Sequence, residues 1–138
     1  MNIKKSFITL FLISVMLLSG CAGIVIPDAD EVGGDFYVCE NLIRGLYTAL
    51  SNQNFALALS YCKSGGLTFK YVNDLWGLAQ EYPTVIHATY QVYNVYDFSY
   101  LGGNLELYYN YSWTTTTTSY LYGRRMVFEK INGQWKMF

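Results

Sequence analysis

The chain has 138 residues, nine basic against ten acidic, for a formal net charge of −1 at pH 7. That balance, with no basic run, leaves nucleic acid out as a partner. Its three cysteines and one histidine form no Cys-His metal pattern, and no glycine-rich phosphate loop or nucleophile elbow appears, so neither a metal nor a cofactor is expected.

At the N-terminus, Lys4 and Lys5 precede an apolar stretch from Phe7 to Leu18, and Ser19 and Gly20 close it. These are the three parts of a secretory signal, and the stretch is shorter than the roughly 20 residues of a membrane-spanning helix. The alternative is a signal-anchor that stays uncleaved. Leu18-Ser19-Gly20-Cys21 resembles the lipobox of prokaryotic lipoproteins. The resemblance implies cleavage before Cys21 and a diacylglycerol on its sulfur. A thiolate is the nucleophile that can accept the lipid, and two or more acyl chains hold a protein on a bilayer stably. Residues 1–20 are therefore expected to be a signal peptide, and 21–35, with Pro27, several acids and Gly33-Gly34, the lipidated cysteine and a tether. Residues 36–138 suit a single domain with one core. The expected location is the cell envelope, on the extracytoplasmic side of a prokaryotic membrane, with the membrane itself as partner through Cys21.

Residues 36–50 place Phe36, Cys39, Leu42, Ile43, Leu46, Tyr47 and Leu50 at helical spacing, with Asp35 positioned to cap the start. Ser51-Asn52-Gln53-Asn54 breaks the pattern, and a shorter helix resumes at Phe55 and stops near Gly65-Gly66. Two such helices lie antiparallel, which brings Cys39 opposite Cys62. In an exported chain the pair reads as a disulfide; two buried free thiols are the alternative. A third helix presents Phe69, Val72, Leu75, Trp76 and Ala79 on one face, and Pro83 marks its end.

From Thr84 the period switches to strict alternation. Even positions from Ile86 to Tyr100 are mostly apolar or tyrosyl, and the odd ones mostly polar. A hairpin at Gly102-Gly103 pairs Tyr100 with Leu105, Phe98 with Leu107, Tyr96 with Tyr109, Asn94 with Tyr111 and Val92 with Trp113. A four-residue tip at Thr115–Thr118 pairs Trp113 with Tyr120, Tyr111 with Tyr122, Tyr109 with Arg124 and Leu105 with Phe128. Asn132-Gly133 closes a last hairpin, with Phe128 opposite Met137 and Glu129 opposite Lys136.

The closing "VFEKINGQWKMF" and the early "LYTALSNQNFALALSYC" resemble the final hairpin and the opening helices of nuclear transport factor 2-like domains. The resemblance covers roughly residues 36 to 138. It implies an α+β fold, with two to three N-terminal helices packed on a curved four-stranded antiparallel meander. Small secreted lipoproteins of unassigned activity are the branch most similar to this chain. The family holds ketosteroid isomerase-like and dehydratase-like enzymes as well as binding and dimerisation modules, so the fold does not name a function.

The expected register sets Asn94, Tyr111 and Tyr122 in one inner row and Tyr96, Tyr109 and Arg124 in the next. These six form the candidate pocket. Arg124 needs a partner there: tyrosine hydroxyls, water, a pocket mouth or a helix carboxylate such as Asp74. One reading is a cavity for a small apolar ligand; the other is a core filled by tyrosine rings. An enzyme would want an inward base, yet parity sends His87, Asp97, Glu106 and Glu129 outward, so no catalytic residue is assigned. A β-bulge between Thr84 and Leu101 would overturn that parity. Tyr93, Val95, Tyr108, Leu121 and Val127 on the outer face offer a homodimer surface, with Tyr108 beside Arg125 for a cation–π contact. The expected function is a lipid-anchored module binding a small ligand or a protein, non-enzymatic. The alternatives are an isomerase- or dehydratase-like enzyme using the Tyr/Arg pocket, and a structural protein with a filled core.

Overall fold

Three helices precede four strands in the computed structural model, which describes residues 29–82 and 88–138. Helix α1 spans Ala29–Ser51, α2 Phe55–Ser60 and α3 Leu67–Glu81. Strands β1 (Thr89–Leu101), β2 (Asn104–Thr114), β3 (Ser119–Ile131) and β4 (Gln134–Met137) form one antiparallel sheet in the order β1-β2-β3-β4. This is the α+β meander expected from the sequence.

Helix α1 begins at Ala29 rather than Phe36, so residues 29–35 are helical instead of extended tether. Gly33 and Gly34 lower helix propensity by about 1 kcal/mol each, which is why composition reads as a linker there. Tertiary contacts offset that cost. Asp35 lies inside the helix instead of capping it, and its carboxylate accepts a hydrogen bond from Trp135 Nε1 at 2.7 Å and faces Lys130 Nζ at 3.5 Å.

The hairpins form where the turn residues place them. Gly102 and Gly103 take φ of 59° and 83°, and Asn132 and Gly133 take 51° and 79°. Two successive left-handed residues give the turn whose twist matches the strands it joins. The β2–β3 and β3–β4 registers agree with the sequence-derived pairs throughout, from Trp113 with Tyr120 to Phe128 with Met137.

Strand β1 departs from simple alternation. Its 13 residues face 11 in β2, and the two extra residues are absorbed by irregularities between Val92 and Asn94 and between Val95 and Asp97. Tyr100 and Phe98 keep their predicted partners, but Val95 now pairs with Tyr109, Asn94 with Asn110, Val92 with Tyr111 and Tyr90 with Trp113. Each bulge reverses the inside-outside parity of the residues beyond it. Val95 and Val92 therefore pack against the core, and Asn94 shares the outer face with Asn110.

The core lies between α1 and the inner sheet face. Ile43, Leu105, Leu107, Phe128 and Met137 are fully buried, and Phe55, Ala58 and Val72 extend the cluster beneath α2 and α3. Two devices protect the sheet edges. Along β1, Ser51 Oγ accepts from Tyr90 N at 2.8 Å and donates to Tyr90 O at 3.3 Å, while Arg44 donates to Val92 O at 3.0 Å. Along β4, Lys63 N donates to Met137 O at 2.7 Å and Met137 N to Tyr61 O at 3.1 Å.

That second device explains why the expected disulfide is not formed. Helix α2 ends at Ser60, and Cys62 has left it to bridge Met137, so it no longer sits on a helix facing Cys39. Both thiols are free and buried. Burial pushes Cys39 up to about 12 and Cys62 up to about 11, so neither is a ready nucleophile at neutral pH.

Candidate functional site

The site is assembled from three surfaces that meet beside the core. Helix α1 supplies Leu46 and Tyr47, the first turns of α3 supply Leu67, Thr68 and Tyr71, and the inner sheet face supplies Tyr109, Tyr111, Arg124 and Met126. Arg125, Val127 and Phe138 complete the wall of a cavity of about 290 Å³. The start of helix α3 is tied to the residue that follows β4: Thr68 N and Oγ1 both donate to the Phe138 main-chain oxygen, at 3.2 and 2.6 Å.

Inside it, tyrosine rings carry both the apolar surface and the polar groups. The Tyr47 and Tyr109 hydroxyls lie 2.8 Å apart in a buried hydrogen bond. Tyr47 stacks on Tyr111 with centroids 4.9 Å apart. The stack continues outward through Tyr122, Tyr120 and Trp113 at 5.7, 6.0 and 5.5 Å, toward the threonine tip. Tyr120 and Tyr122 remain exposed along that run.

Electrostatics favour hydrogen-bond donors over bases. Burial, and then the adjoining Tyr109, drives the Tyr47 hydroxyl far above the ordinary tyrosine range. Burial pushes Tyr109 up to about 12 and raises Tyr71 and Tyr90 as well. Arg124 is held more firmly protonated, chiefly through its hydrogen bond with the Tyr111 hydroxyl. The cavity thus presents phenol O–H groups and the guanidinium of Arg124, with Arg125 also in its wall. Among the described residues, its lining includes neither an acidic side chain nor a histidine.

Of the six expected pocket residues, Tyr109, Tyr111 and Arg124 line the cavity, and Tyr122 stacks against Tyr111 at its edge. Asn94 and Tyr96 do not join them. The bulges turn Asn94 outward, where its Oδ1 accepts from Asn110 Nδ2 at 3.3 Å. Tyr96 is exposed, and its hydroxyl lies over the outer face, about 4.0 Å from where a side chain at Gly123 would begin. Arg124 meets tyrosines, and Asp74 is exposed on α3. Asp97 stays on the outer side opposite Tyr108 and accepts from Phe98 N at 2.8 Å. On that face Val95 is replaced by Asn94, and Arg125 reaches Glu106 at 3.4 Å, as does the Tyr108 hydroxyl at 3.3 Å. Sequence reasoning missed Tyr47 and Tyr71. Tyr47 was read as helix face without a polar role, and Tyr71 lies off the apolar stripe of α3. Cys21 and His87 lie outside the described residues.

A helical layer over a curved meander, with a tyrosine-lined hollow between them, defines the class: the fold is nuclear transport factor 2-like. It is similar to an NTF-2-like protein of unknown function from Shewanella oneidensis, with a TM-score of 0.59 and 9% identity, covering 75% of this chain and 93% of that one. It is also similar to Bdellovibrio bacteriovorus Bd1075, with a TM-score of 0.59 and 10% identity, over 80% of this chain and 40% of that one. At such identities the likeness is one of fold. No family model and no curated protein matches the sequence.

Proposed function

We propose that this chain is a lipid-anchored, extracytoplasmic binding module, and that its cavity takes a small ligand with an apolar body and an anionic or hydrogen-bond-accepting end. The anchor rests on the lipobox-like Leu18–Cys21. The ligand rests on one observation, a hollow of about 290 Å³ in which Arg124 and several tyrosine hydroxyls converge against apolar walls. That size and that mixture are what small-molecule sites have, near the lower end of the ~300–1,000 Å³ range. The donors fit an acceptor such as a carboxylate, and the rings fit a flat or aliphatic body. A binding role is favoured over acid–base catalysis because the polar side chains of the described lining are phenols, a hydroxyl and guanidinium groups, which offer hydrogen-bond donors to a ligand.

A thermal-shift screen of aromatic and aliphatic carboxylates tests this directly. A ligand present far above its Kd stabilises the folded state by about 2–4 kcal/mol. At least one compound should raise the Tm of the natural protein by several degrees and that of Arg124→Ala by clearly less. A compound that shifts both equally is not held by this cavity, and a screen without any shift contradicts the reading.

A further inference from the structure

We infer that the end of the molecule formed by the start of α1 and the β1–β2 hairpin rests on a neutral lipid surface, with its aromatic and aliphatic side chains at the headgroup boundary. The inference depends on anchoring at Cys21. It adds which end faces the bilayer and which side chains enter it.

Three observations converge on that end. First, apolar side chains gather there in the open: Leu101 is 68% and Tyr37 65% exposed, with Phe98 and Tyr96 also exposed beside them. Phe36 packs on Phe98 with centroids 5.5 Å apart, and a shallow apolar groove of about 330 Å³ runs between the first turns of α1 and Val95–Phe98.

Second, the chain leaves the domain at the same end. Helix α1 runs antiparallel to β1, with Arg44 at Val92 and Phe36 at Phe98. At 1.5 Å per residue, Ala29 lies roughly 10 Å beyond Phe36. At about 3.3 Å per residue, Leu101 lies roughly 10 Å beyond Phe98. Helix start and hairpin tip therefore reach the same level. Cys21 precedes Ala29 by eight residues, a stretch that spans at most about 28 Å. A lipid on Cys21 would hold this end, and no other, close to the bilayer.

Third, the side-chain chemistry suits the boundary. Tyrosine places an apolar ring beside a polar hydroxyl, the combination found at membrane–water interfaces. A patch of this type enters by about 5–10 Å. Asp97 borders the groove, which favours zwitterionic over anionic headgroups. The opposite end, by contrast, is the threonine tip at 115–118.

The full chain, lipidated and reconstituted into phosphatidylcholine vesicles containing brominated phosphatidylcholine, provides the test. Tryptophan is placed at Leu101, at Tyr37 or, as the distal control, at exposed Leu121 on β3. The added emission of Leu101→Trp and Tyr37→Trp should be largely lost to the brominated lipid, and that of Leu121→Trp retained. Flotation with the vesicles and the mass of the lipidated Cys21 are read in parallel. Protein that floats while Leu101→Trp and Tyr37→Trp keep their emission overturns the orientation alone, as it would if a second copy covered the patch. Protein that neither carries lipid nor floats overturns the anchoring reading and this inference with it.

Discussion

Tyr47 and Tyr109 show what burial does to a single polar group. Their hydroxyls share one hydrogen bond at 2.8 Å, which gives each of two buried phenol oxygens a partner within the core. The same burial fixes a pH dependence. In the unfolded chain these phenols ionise near 10.0, whereas the folded state moves Tyr109 up to about 12 and Tyr47 and Tyr90 further. The unfolded state thus loses its protons first as pH rises. The stabilisation is fully present below about pH 10 and is lost as pH climbs through 12. Urea midpoints should hold steady up to about pH 10 and fall steeply above it, with the absorbance of the buried tyrosinates appearing only as the protein unfolds. Midpoints unchanged to pH 12, or complete ionisation near 10 with the fold intact, would contradict the buried pair. At this scale the sequence was half legible. Parity placed Tyr109, Tyr111 and Arg124 on one face, but nothing in a helical stripe marks Tyr47 or Tyr71 as polar partners.

The elements show where alternation works and where it fails. Strands β2, β3 and β4 read correctly because the four-residue threonine tip and the Asn-Gly turn set their pairing and because a slip would invert an apolar face. Strand β1 misled, since its 13 residues are matched to 11. Asn94 was the misfit on an otherwise apolar row, and Val92 and Val95, three apart, were the apolar pair that bulges could restore to the core. The helices were legible in order but not in bounds. Gly33-Gly34 hid the first turns of α1, whose Asp35 gains its partners only when Trp135 and Lys130 arrive from the far end of the chain. Contacts this distant in sequence leave no local pattern. The same holds for Ser51, which seals the β1 edge by bonding both main-chain groups of Tyr90. Ser51→Ala leaves that amide without its partner, at a cost of about 1–3 kcal/mol. Hydrogen exchange at Tyr90 should quicken by about tenfold or more, while amides of β3 keep their rates. An unchanged Tyr90 rate would show that the edge is held by something else.

At the scale of the molecule, one helix organises both proposed roles. Helix α1 closes the β1 edge, supplies Tyr47 to the cavity and carries the chain out at the end assigned to the bilayer. The cavity wall includes Leu67, Thr68 and Tyr71 of α3 and Arg124 to Val127 of β3. The sheet residues that face it come from β2 and β3, and the two irregularities in β1 decide which residues of that strand share their face. They remove Asn94 and Tyr96 from the inner face, while the regular β2–β3 register sets Arg124 opposite Tyr109. Calorimetric titration of a carboxylate found by thermal shift, into the natural protein, Arg124→Ala and Asn94→Ala, separates the bulged sheet from the regular one. A charge-assisted hydrogen bond contributes about 1.5–3 kcal/mol, so Arg124→Ala should weaken binding by about tenfold or more and Asn94→Ala should leave it unchanged. Equal losses in the two variants, or a loss in Asn94→Ala alone, would contradict the account.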